Sequence, residues 1–273
     1  MAKRLLNAGY DLAVWNRSKA KTVSLEKAGA RVSDTPGQTV AGADIVMLCL
    51  TDSVAVQAVV FGNNGVLEGI SSDAVVIDFS TIGPERAKFF ADKVHRTRGV
   101  LWIDAPVSGG VAGADSGELI VFASGDIGIV DGVRKTLSVL AQKVTYVGDV
   151  GAGQATKLCN QLIVASTLVA ISEAINLGRV LGVQLEKLPD ALTGGFADSP
   201  PLQIFGRRMA SNIVEPKIGE IGVMRKDVLA ICEVAEANEI ILPLLQTVAG
   251  FYQKAADAGI AGEDISALMK LYK

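Results

Sequence analysis

Residues 148–161 divide the chain into two kinds of sequence. Before them, short apolar runs alternate with helical patterns, and after them the pattern is helical alone. Strands that alternate with helices predict a mostly parallel, doubly wound sheet covered on both faces. The chain has 273 residues with 49% hydrophobic content, which is enough for two domains with substantial cores. We therefore predict an α/β domain over residues 1–148 and an all-helical domain over residues 149–273.

The predicted elements follow the apolar periodicity and the glycine and proline breaks. Residues 1–9 read as the tail of a helix. In the first half, the strands are predicted at residues 10–15, 44–50, 74–79, 100–104, 119–123 and 143–147, and helices at 19–28, 84–96 and 127–140. In the second half, helices are predicted at residues 154–181, 185–192, 202–211, 224–237, 242–256 and 265–271.

Charge and composition limit the partners and the location. The net charge is -3 and the basic residues are scattered, so a nucleic-acid partner is not expected. The longest uncharged runs, such as residues 158–172, span about fifteen residues and fall short of a membrane helix, so no membrane partner is expected.

Three distant cysteines in apolar segments, Cys49, Cys159 and Cys232, fit reduced core thiols and a cytoplasmic protein. The apolar helical half predicts a homodimer or homotetramer.

In doubly wound sheets, ligands bind beyond the carboxyl ends of the strands. Asn16, Arg17 and Ser18 follow the first predicted strand, and none of them is acidic. With Lys21, Arg17 and Ser18 could hold the 2'-phosphate of NADP, since a guanidinium matches phosphate geometry. An exposed turn is the alternative. We predict NADP as the cofactor, with NAD possible.

Other strand ends carry weaker signals. Leu50 and Thr51 follow one predicted strand, and Ser80 and Thr81 follow the next. A hydroxyl there could contact the cofactor or cap the following helix. We include Leu50, Thr51 and Thr81 among the predicted cofactor-binding residues.

The run Asp-Ala-Pro-Val-Ser-Gly-Gly at residues 104–110 also follows a predicted strand. Its glycines leave backbone N–H groups unshielded, so Ser108, Gly109 and Gly110 could form an anion nest that accepts a carboxylate. An ordinary glycine-rich turn is the alternative.

Lys157 is the strongest candidate for a general acid or base. The lone histidine, His95, lies in a polar helix, and no HExxH, CxxC or phosphate-loop motif occurs, so no metal site is predicted. Asn160 and Gln161 follow Lys157 by three and four positions and share its helix face. A lysine beside an apolar helix and a cationic nicotinamide would have its pKa lowered toward working pH, because both disfavour its charged form.

Three stretches in this order resemble the β-hydroxyacid dehydrogenase family. Residues 104–110 are similar to its substrate-binding signature, residues 148–161 to its catalytic signature, and Lys226-Asp227 to its second cofactor-contacting motif. The resemblance covers essentially the whole chain and implies a Rossmann-like, doubly wound NADP-binding domain followed by an all-helical substrate and dimerisation domain, with a long interdomain helix between them.

The resemblance also implies roles for individual residues. Lys157 is the implied catalytic acid/base, and Lys226 the implied cofactor contact. The implied substrate-binding residues are Ser108, Gly109, Gly110, Gln161 and Asn160. The usual aromatic residue before the Lys-Asp motif is absent, since Ile218 and Gly219 stand in that region.

The family begins with a strand and a G-x-G-x-x-G turn, whereas Met1 already lies in the pattern of the helix that follows them. A sheet without that strand would have two unpaired edges, and the pyrophosphate would lose its helix N-terminus. We therefore expect either an incomplete sequence or an internal start codon at Met1.

The sequence thus predicts an NADP-dependent reductase of a small carboxylate-bearing aldehyde. The catalytic stretch is most similar to tartronate semialdehyde reductases. 3-Hydroxyisobutyrate dehydrogenase and succinic semialdehyde or glyoxylate reductase are alternatives within the family. An imine reductase and a catalytically silent dinucleotide-binding protein are the remaining alternatives.

Overall fold

A computed structural model describes residues 1–272, which fall into two compact units. The first unit runs from Met1 to Lys157, and the second begins at Leu158. The division therefore falls within a long helix, some way beyond the change of sequence pattern at residue 148.

The first unit alternates strands and helices. Its elements are α1 (Ala2–Asn7), β1 (Ala13–Val14), α2 (Val23–Glu26), β2 (Arg31–Val32), α3 (Pro36–Val40), β3 (Ile45–Leu48), α4 (Ser53–Phe61), α5 (Val66–Gly69), β4 (Val75–Asp78), α6 (Pro84–Arg98), β5 (Leu101–Asp104), β6 (Val107–Ser108), α7 (Gly110–Ser116), β7 (Leu119–Ala123), α8 (Ile127–Leu137) and β8 (Ala141–Tyr146). The long helix α9 (Ala152–Val180) begins at its end.

The strands form three sheets, and parallel pairing dominates them. β1 pairs with β2, and β3, β4 and β5 form a parallel sheet in that order. β7 pairs in parallel with β8 and antiparallel with β6. Within residues 1–272, β1 pairs only with β2 and β3 only with β4, so each of these strands keeps one edge without a strand partner.

Both faces of the sheet formed by β3, β4 and β5 are buried. Val76 and Trp102 pack into one hydrophobic cluster, whereas their neighbours Ile77 and Ile103 pack into another. Successive strand residues point to opposite faces, so a sheet with both faces covered needs apolar residues at every position. This explains the unbroken apolar runs and confirms the α/β, doubly wound prediction.

Several predicted boundaries in the first unit are wrong. The strand predicted at residues 10–15 is only β1, because its partner β2 offers two residues for pairing. The helix predicted at 19–28 divides into a 3₁₀ turn, Lys19–Lys21, and the short α2. The Thr22 hydroxyl donates to the Lys19 carbonyl oxygen at 2.8 Å, a local bond that competes with regular helix.

Short elements were missed by the sequence patterns, namely β2, α3, α4, α5, β6 and α7. β6 matters most, since it places Ser108 in a strand rather than in a turn. The ends of two predicted elements also differ from those observed. α8 ends at Leu137 rather than at residue 140, and β8 begins at Ala141 rather than at residue 143. β2, α3, α5 and β6 have two to five residues, too few for periodicity to show them, whereas α7 has seven residues and α4 has nine.

The second unit is helical, as the sequence predicts. Its helices after α9 are α10 (Leu188–Leu192), α11 (Arg207–Ala210), α12 (Ile221–Ala237) and α13 (Pro243–Asp257). Three predicted helices differ in type. Residues Leu185–Lys187 and Ile265–Tyr272 are 3₁₀ turns, and Leu202–Gly206 is a π-helical turn before α11.

α9 is longer and more apolar than the run of residues 158–172 suggests. By length and composition alone it could cross a membrane, since its mean hydropathy reaches 1.6 over an eighteen-residue window, 44% of which is buried. Core helices pass the same test. Leu168 and Ile175 of α9 are fully buried with Val228 and Tyr252 in the core of the second unit.

The cysteine prediction was wrong in part. Cys49 and Cys159 are exposed and Cys232 is half-buried, so none is a fully buried core thiol. Cys49 lies beyond the end of β3 at Leu48, and Cys159 lies on the exposed side of α9. All three thiols are free.

Candidate active site

The first turn of α9 is held by a buried carboxylate. Asp104 Oδ1 accepts the Gly151 N–H at 2.9 Å, and Asp104 Oδ2 accepts the Gln154 N–H at 2.9 Å. The first N–H groups of a helix have no intrahelical partner, and an acidic group there also complements the helix dipole. Burial raises the pKa of Asp104, and its hydrogen bonds lower it in part. Asp104 therefore fixes the start of the helix that carries Lys157.

Gly153 lies in a space that only glycine fits. Its N–H donates to the Ser124 Oγ at 3.0 Å, and the Ser124 hydroxyl donates to Asp104 Oδ1. A Cβ on Gly153 would lie 2.6 Å from the Phe122 carbonyl oxygen and 2.7 Å from Asp104 Oδ2. The backbone of α9 thus contacts strand ends β5 and β7 directly.

The Gln154 side chain ties α9 to the loop after β4. Its Oε1 accepts the N–H groups of Ile82 and Gly83 at 2.9 and 3.2 Å. Its Nε2 donates to the Ser80 carbonyl oxygen at 2.9 Å. Gln154 is fully buried, so these bonds satisfy an amide that would otherwise be costly to bury.

The roles of Asp104, Ser124 and Gln154 were not predicted from the sequence. Asp104 and Gln154 lie within the two stretches that carry the family resemblance, which was a usable signal. Ser124 follows β7 without any local motif, and only the antiparallel bridge between Asp104 and Ser124 brings it to the site.

Lys157 follows this anchored turn and is 8% exposed. Asn160 and Gln161 come three and four residues later on the same helix, where Asn160 is half-buried and Gln161 is buried. The catalytic role of Lys157 and the substrate-binding roles of Asn160 and Gln161 stay predictions, while their shared position on α9 agrees with the helical spacing.

Ser108, Gly109 and Gly110 lie where β6 ends and α7 begins. Gly109 and Gly110 have φ values of 120° and 61°, which L side chains rarely adopt. Both glycines are exposed, and the first turn of α7 has N–H groups with no intrahelical carbonyl partner. These features are compatible with a bound carboxylate, which stays a prediction.

The turn after β1 has the donor set of a phosphate site. Asn16 Oδ1 accepts the Ser18 N–H at 2.9 Å and so closes the turn. Arg17, Ser18 and Lys21 are exposed. Cationic and hydroxyl donors suit a phosphate monoester.

The other predicted cofactor contacts, Leu50, Thr51 and Thr81, differ in their exposure and hydrogen bonds. The Leu50 N–H donates to Ser80 Oγ at 2.9 Å, so that hydroxyl has a structural partner. Thr51 is exposed and Thr81 is half-buried, and both lie after strand ends as predicted. Their contact with a cofactor stays a prediction.

A second buried carboxylate lies beside Asp104. Asp78 ends β4 opposite Asp104 in the strand register, and its Oδ1 accepts the Ser80 N–H at 2.9 Å. Its Oδ2 has no hydrogen-bond partner among the described residues. Burial raises the pKa of Asp78 to about 7.

In the second unit, the predicted cofactor contact Lys226 begins a polar cluster. Lys226 Nζ lies 3.3 Å from Asp227 Oδ1, with Lys226 exposed and Asp227 4% exposed. Asp227 Oδ2 accepts the Gln161 Nε2 at 2.5 Å, and Gln161 Oε1 accepts the Asn160 Nδ2 at 2.9 Å. Asp227 belongs to the Lys-Asp motif, but the sequence did not predict its contact with Gln161.

Two family models match the chain. The model for the NAD-binding domain of 6-phosphogluconate dehydrogenase matches residues 1–148. The model for the NAD-binding region of NADP-dependent 3-hydroxyisobutyrate dehydrogenase matches residues 151–272.

Individual proteins are similar over nearly the whole chain. The chain is 33% identical to 2-hydroxy-3-oxopropionate reductase of Escherichia coli strain K12, over 99% of this chain and 91% of the relative. The structure of Mycobacterium tuberculosis 3-hydroxyisobutyrate dehydrogenase with L-serine has a TM-score of 0.88 and 28% identity, covering 100% of this chain and 94% of that one. Psf3 in complex with NADP⁺ and 2-OPP has a TM-score of 0.90 and 26% identity, covering 100% and 95%.

Proposed function

Because the chain belongs to the β-hydroxyacid dehydrogenase family and is an NAD(P)-dependent oxidoreductase, we propose that it reduces a small carboxylate-bearing aldehyde to a β-hydroxyacid with NADPH. Tartronate semialdehyde, which is 2-hydroxy-3-oxopropanoate, is the first substrate to test. Its reductase in E. coli is among the relatives. The 3-hydroxyisobutyrate, succinic semialdehyde and glyoxylate reactions are the alternatives within the same chemistry.

One observation carries the proposal. Lys157 is buried on a helix whose start is fixed by Asp104, Ser124 and Gln154. Lysine is usually a solvated side chain, and burying its charge has a free-energy cost. A fixed amine in such surroundings is suited to proton transfer, which requires placement within hydrogen-bond reach of the reacting oxygen.

The chemistry of the residues then follows. The substrate carboxylate binds at Ser108, Gly109 and Gly110. NADPH, when bound, would supply the hydride for the aldehyde carbon and would become NADP⁺. The Lys157 ammonium donates a proton to the carbonyl oxygen and becomes a neutral amine, which water reprotonates. In the opposite direction, the amine accepts the alcohol proton.

The donor set of the Arg17 turn supports NADPH rather than NADH. The Arg17 guanidinium and the Ser18 hydroxyl would hold the 2'-phosphate, with Lys21 adding positive charge. The carboxylate of Asp34, which follows β2, is paired with Lys19 at 2.5 Å. Lys226 is the proposed cofactor contact in the second unit.

We also propose a cytoplasmic homodimer or homotetramer. Exposed apolar side chains in the second unit support an oligomer, among them Leu177, Val180, Ile241 and Leu244, which are 60% to 82% exposed. Exposed apolar side chains on a helical surface occur at interfaces between subunits.

The test of the proposed function replaces Lys157 by methionine. We expect the Lys157→Met variant to lose at least about 10²-fold in turnover, since general acid catalysis supplies that much or more. Its affinity for NADPH, measured by fluorescence titration, is expected to stay within about twofold of wild type, because methionine preserves the volume of a side chain that does not bind the dinucleotide.

Lys143→Met is the matched control, because Lys143 is exposed on β8 and outside the site. This variant should keep full turnover. A large loss of NADPH affinity in Lys157→Met would instead make Lys157 a structural or cofactor-binding lysine. Unchanged turnover in Lys157→Met would show that Lys157 is not the general acid of the reaction.

Substrate choice is tested by the rate of NADPH loss. The panel is tartronate semialdehyde, succinic semialdehyde, methylmalonate semialdehyde and glyoxylate. Turnover of one or more ranks the substrates, and silence with all four while NADPH binds would contradict the proposed reaction.

A further inference from the structure

Asp264 holds the segment that leads into α12. Its Oδ2 accepts the N–H groups of Ile218 and Gly219 at 2.8 and 3.2 Å. Its Oδ1 accepts the Ser266 N–H at 3.0 Å. The Asp264 side chain is fully buried, and all of these residues lie in the second unit. One carboxylate thus ties together two segments that lie 46 positions apart in the chain.

Arg208 adds a charged partner to this anchor. Its Nε lies 3.4 Å from Asp264 Oδ1, and its Nη2 donates to the Pro216 carbonyl oxygen at 2.8 Å. Burial acts to raise the pKa of Asp264, but the hydrogen bonds that the carboxylate accepts outweigh burial, so the pKa lies below its usual value. Asp264 is therefore ionised at neutral pH, and an ionised carboxylate can only accept hydrogen bonds.

The first N–H groups of α12 are satisfied by the loop of residues 261–264. Within the described residues, no side chain caps the start of this helix. Instead, the Ile221 N–H donates to the Glu263 carbonyl oxygen at 3.0 Å, and the Gly222 N–H donates to the Ala261 carbonyl oxygen at 2.7 Å. These N–H groups have no partner within the helix itself. The order of the first turn of α12 therefore depends on this loop.

α12 is held at a second point less than two turns further on. Asp227 is buried, and its Oδ2 accepts the Gln161 Nε2 at 2.5 Å. Lys226 immediately precedes Asp227, and successive residues of a helix are turned by about 100° from each other. Asp227 therefore faces the interior while 44% of the Lys226 side chain is exposed. Between the two fixed points, α12 has little freedom to rotate, which sets the direction in which Lys226 projects.

We propose that Asp264 is a positioning residue that acts through the start of α12 on Lys226. Lys226 is the proposed cofactor contact, so this inference rests on the proposed function. Asp264 itself touches no ligand. Without its hydrogen bonds, the first turns of α12 would fray, and binding of the dinucleotide at Lys226 would have to order them again. Ordering a mobile segment on binding lowers affinity, whereas a segment that is already ordered avoids this cost.

The test is a double-mutant cycle on NADPH affinity, measured by fluorescence titration. Lys226→Met should weaken NADPH binding by about tenfold, because it removes one charge-assisted contact. Asp264→Asn keeps the size of the side chain but replaces one acceptor oxygen by a donor NH₂ group, and it should weaken binding by about threefold or more. In the Lys226→Met background, Asp264→Asn should cause no further loss, since the residue through which Asp264 acts is then absent.

Glu263→Gln is the matched control. It makes the same change of charge at the neighbouring position, where the carboxylate pairs with Lys270, and it keeps the carbonyl oxygen that the Ile221 N–H uses. Its NADPH affinity should equal that of wild type. A purely structural role would lower the Tm of Asp264→Asn and leave the NADPH affinity of the folded protein unchanged, a result that would overturn the proposal. Equal losses of affinity from Asp264→Asn in both backgrounds would also overturn it.

Lys226→Met alone tests the premise. Unchanged NADPH affinity in this variant would contradict the proposed cofactor contact, and this inference with it. A weakened Lys226→Met beside an unchanged Asp264→Asn would contradict only the positioning role, so the two failures are distinguishable.

Hydrogen exchange of the wild-type protein gives a readout that does not require Asp264→Asn to fold. Contact with Lys226 should restrain the start of α12, so saturating NADPH should slow amide exchange at residues 218–222 by about threefold or more relative to α13. The same slowing should be absent from Lys226→Met at saturating NADPH. No slowing at residues 218–222 while NADPH binds, or equal slowing in Lys226→Met, would overturn the proposal.

Discussion

Replacing Gly153 by alanine tests whether the anchored start of α9 is as tightly packed as the structure indicates. A Cβ there would lie 2.6 Å from the Phe122 carbonyl oxygen, and 2.7 and 2.8 Å from Asp104 Oδ2 and the Asp104 carbonyl oxygen. Two of these atoms are strand backbone, and the third already accepts the Gln154 N–H. None of them can swing aside as the end of a flexible side chain would.

Two effects of opposite sign compete in this variant. Alanine is favoured over glycine in a helix by about 1 kcal/mol. Forcing a methyl group into a packed site costs about 1–3 kcal/mol, and a start of α9 that moves away weakens buried hydrogen bonds to Asp104 at about 1–3 kcal/mol each. The unfavourable effects are larger, and we expect Gly153→Ala to lower the free energy of unfolding by about 2–4 kcal/mol.

Gly132→Ala is the matched control. Gly132 lies within α8, is exposed, and has no atom within 4 Å of an added Cβ, so only helix propensity changes. This variant should gain about 0.5–1 kcal/mol. Urea unfolding followed by tryptophan fluorescence would measure both, because Trp15 and Trp102 both lie in the first unit.

A Gly153→Ala protein with the urea midpoint of wild type or above would refute the reasoning. Such a result would mean that α9 moves freely relative to β5 and β7. The anchoring by Asp104 would then not support the placement of Lys157. If the anchoring holds, the variant should also lose turnover by up to about 10²-fold, since small displacements of a catalytic group are costly.

Two further predictions concern the cofactor turn and a buried acid. Arg17→Ala should weaken NADPH binding by about 10–100-fold, because it removes one charge-assisted contact. The affinity for NADH should be nearly unchanged, and fluorescence titration measures both affinities. Equal losses of affinity for the two dinucleotides would contradict the assignment of Arg17 to the 2'-phosphate. Burial raises the pKa of Asp78 to about 7 from 3.8, so the free energy of unfolding of the wild type falls as pH rises between those values, by about 1.4 kcal/mol per pH unit. Asp78→Asn should remove this pH dependence of stability, because asparagine does not titrate. The Tm of Asp78→Asn relative to wild type should therefore be higher at pH 8 than at pH 5, whereas the exposed Asp73→Asn should show no such difference; a constant Tm gap for Asp78→Asn would contradict this.

The sequence was sufficient for the parts of the fold that depend on local pattern. Unbroken apolar runs predicted β3, β4 and β5, because these strands are covered on both faces. The long apolar run predicted α9, which packs in the core of the second unit. The patterns failed at β1 and β2, whose two-residue pairing gives no period, and at β6, which depends on its partner β7.

The polar residues of the site were harder to predict because their roles depend on distant partners. Asp104 and Asp78 both end apolar strands and look alike in the sequence. Asp104 accepts backbone N–H groups from residues 47 and 50 positions away, while Asp78 Oδ2 finds no partner among the described residues. The same residue type at the same place in a strand thus anchors a helix in one case and keeps one oxygen without a hydrogen bond in the other, although burial raises the pKa of both.

The role of Asp227 could not be predicted from the sequence for the same reason. It lies 66 positions from Gln161, and nothing in the intervening sequence indicates that the two side chains meet. A motif identifies Lys226-Asp227, and helical spacing places Gln161 and Asn160 near Lys157, yet neither shows which end of an amide faces outward. That orientation follows only when a carboxylate that cannot donate is found beside Gln161. The buried carboxylate of Asp227, whose contact with Gln161 is seen only in the structure, therefore decides how the amides of Gln161 and Asn160 are turned.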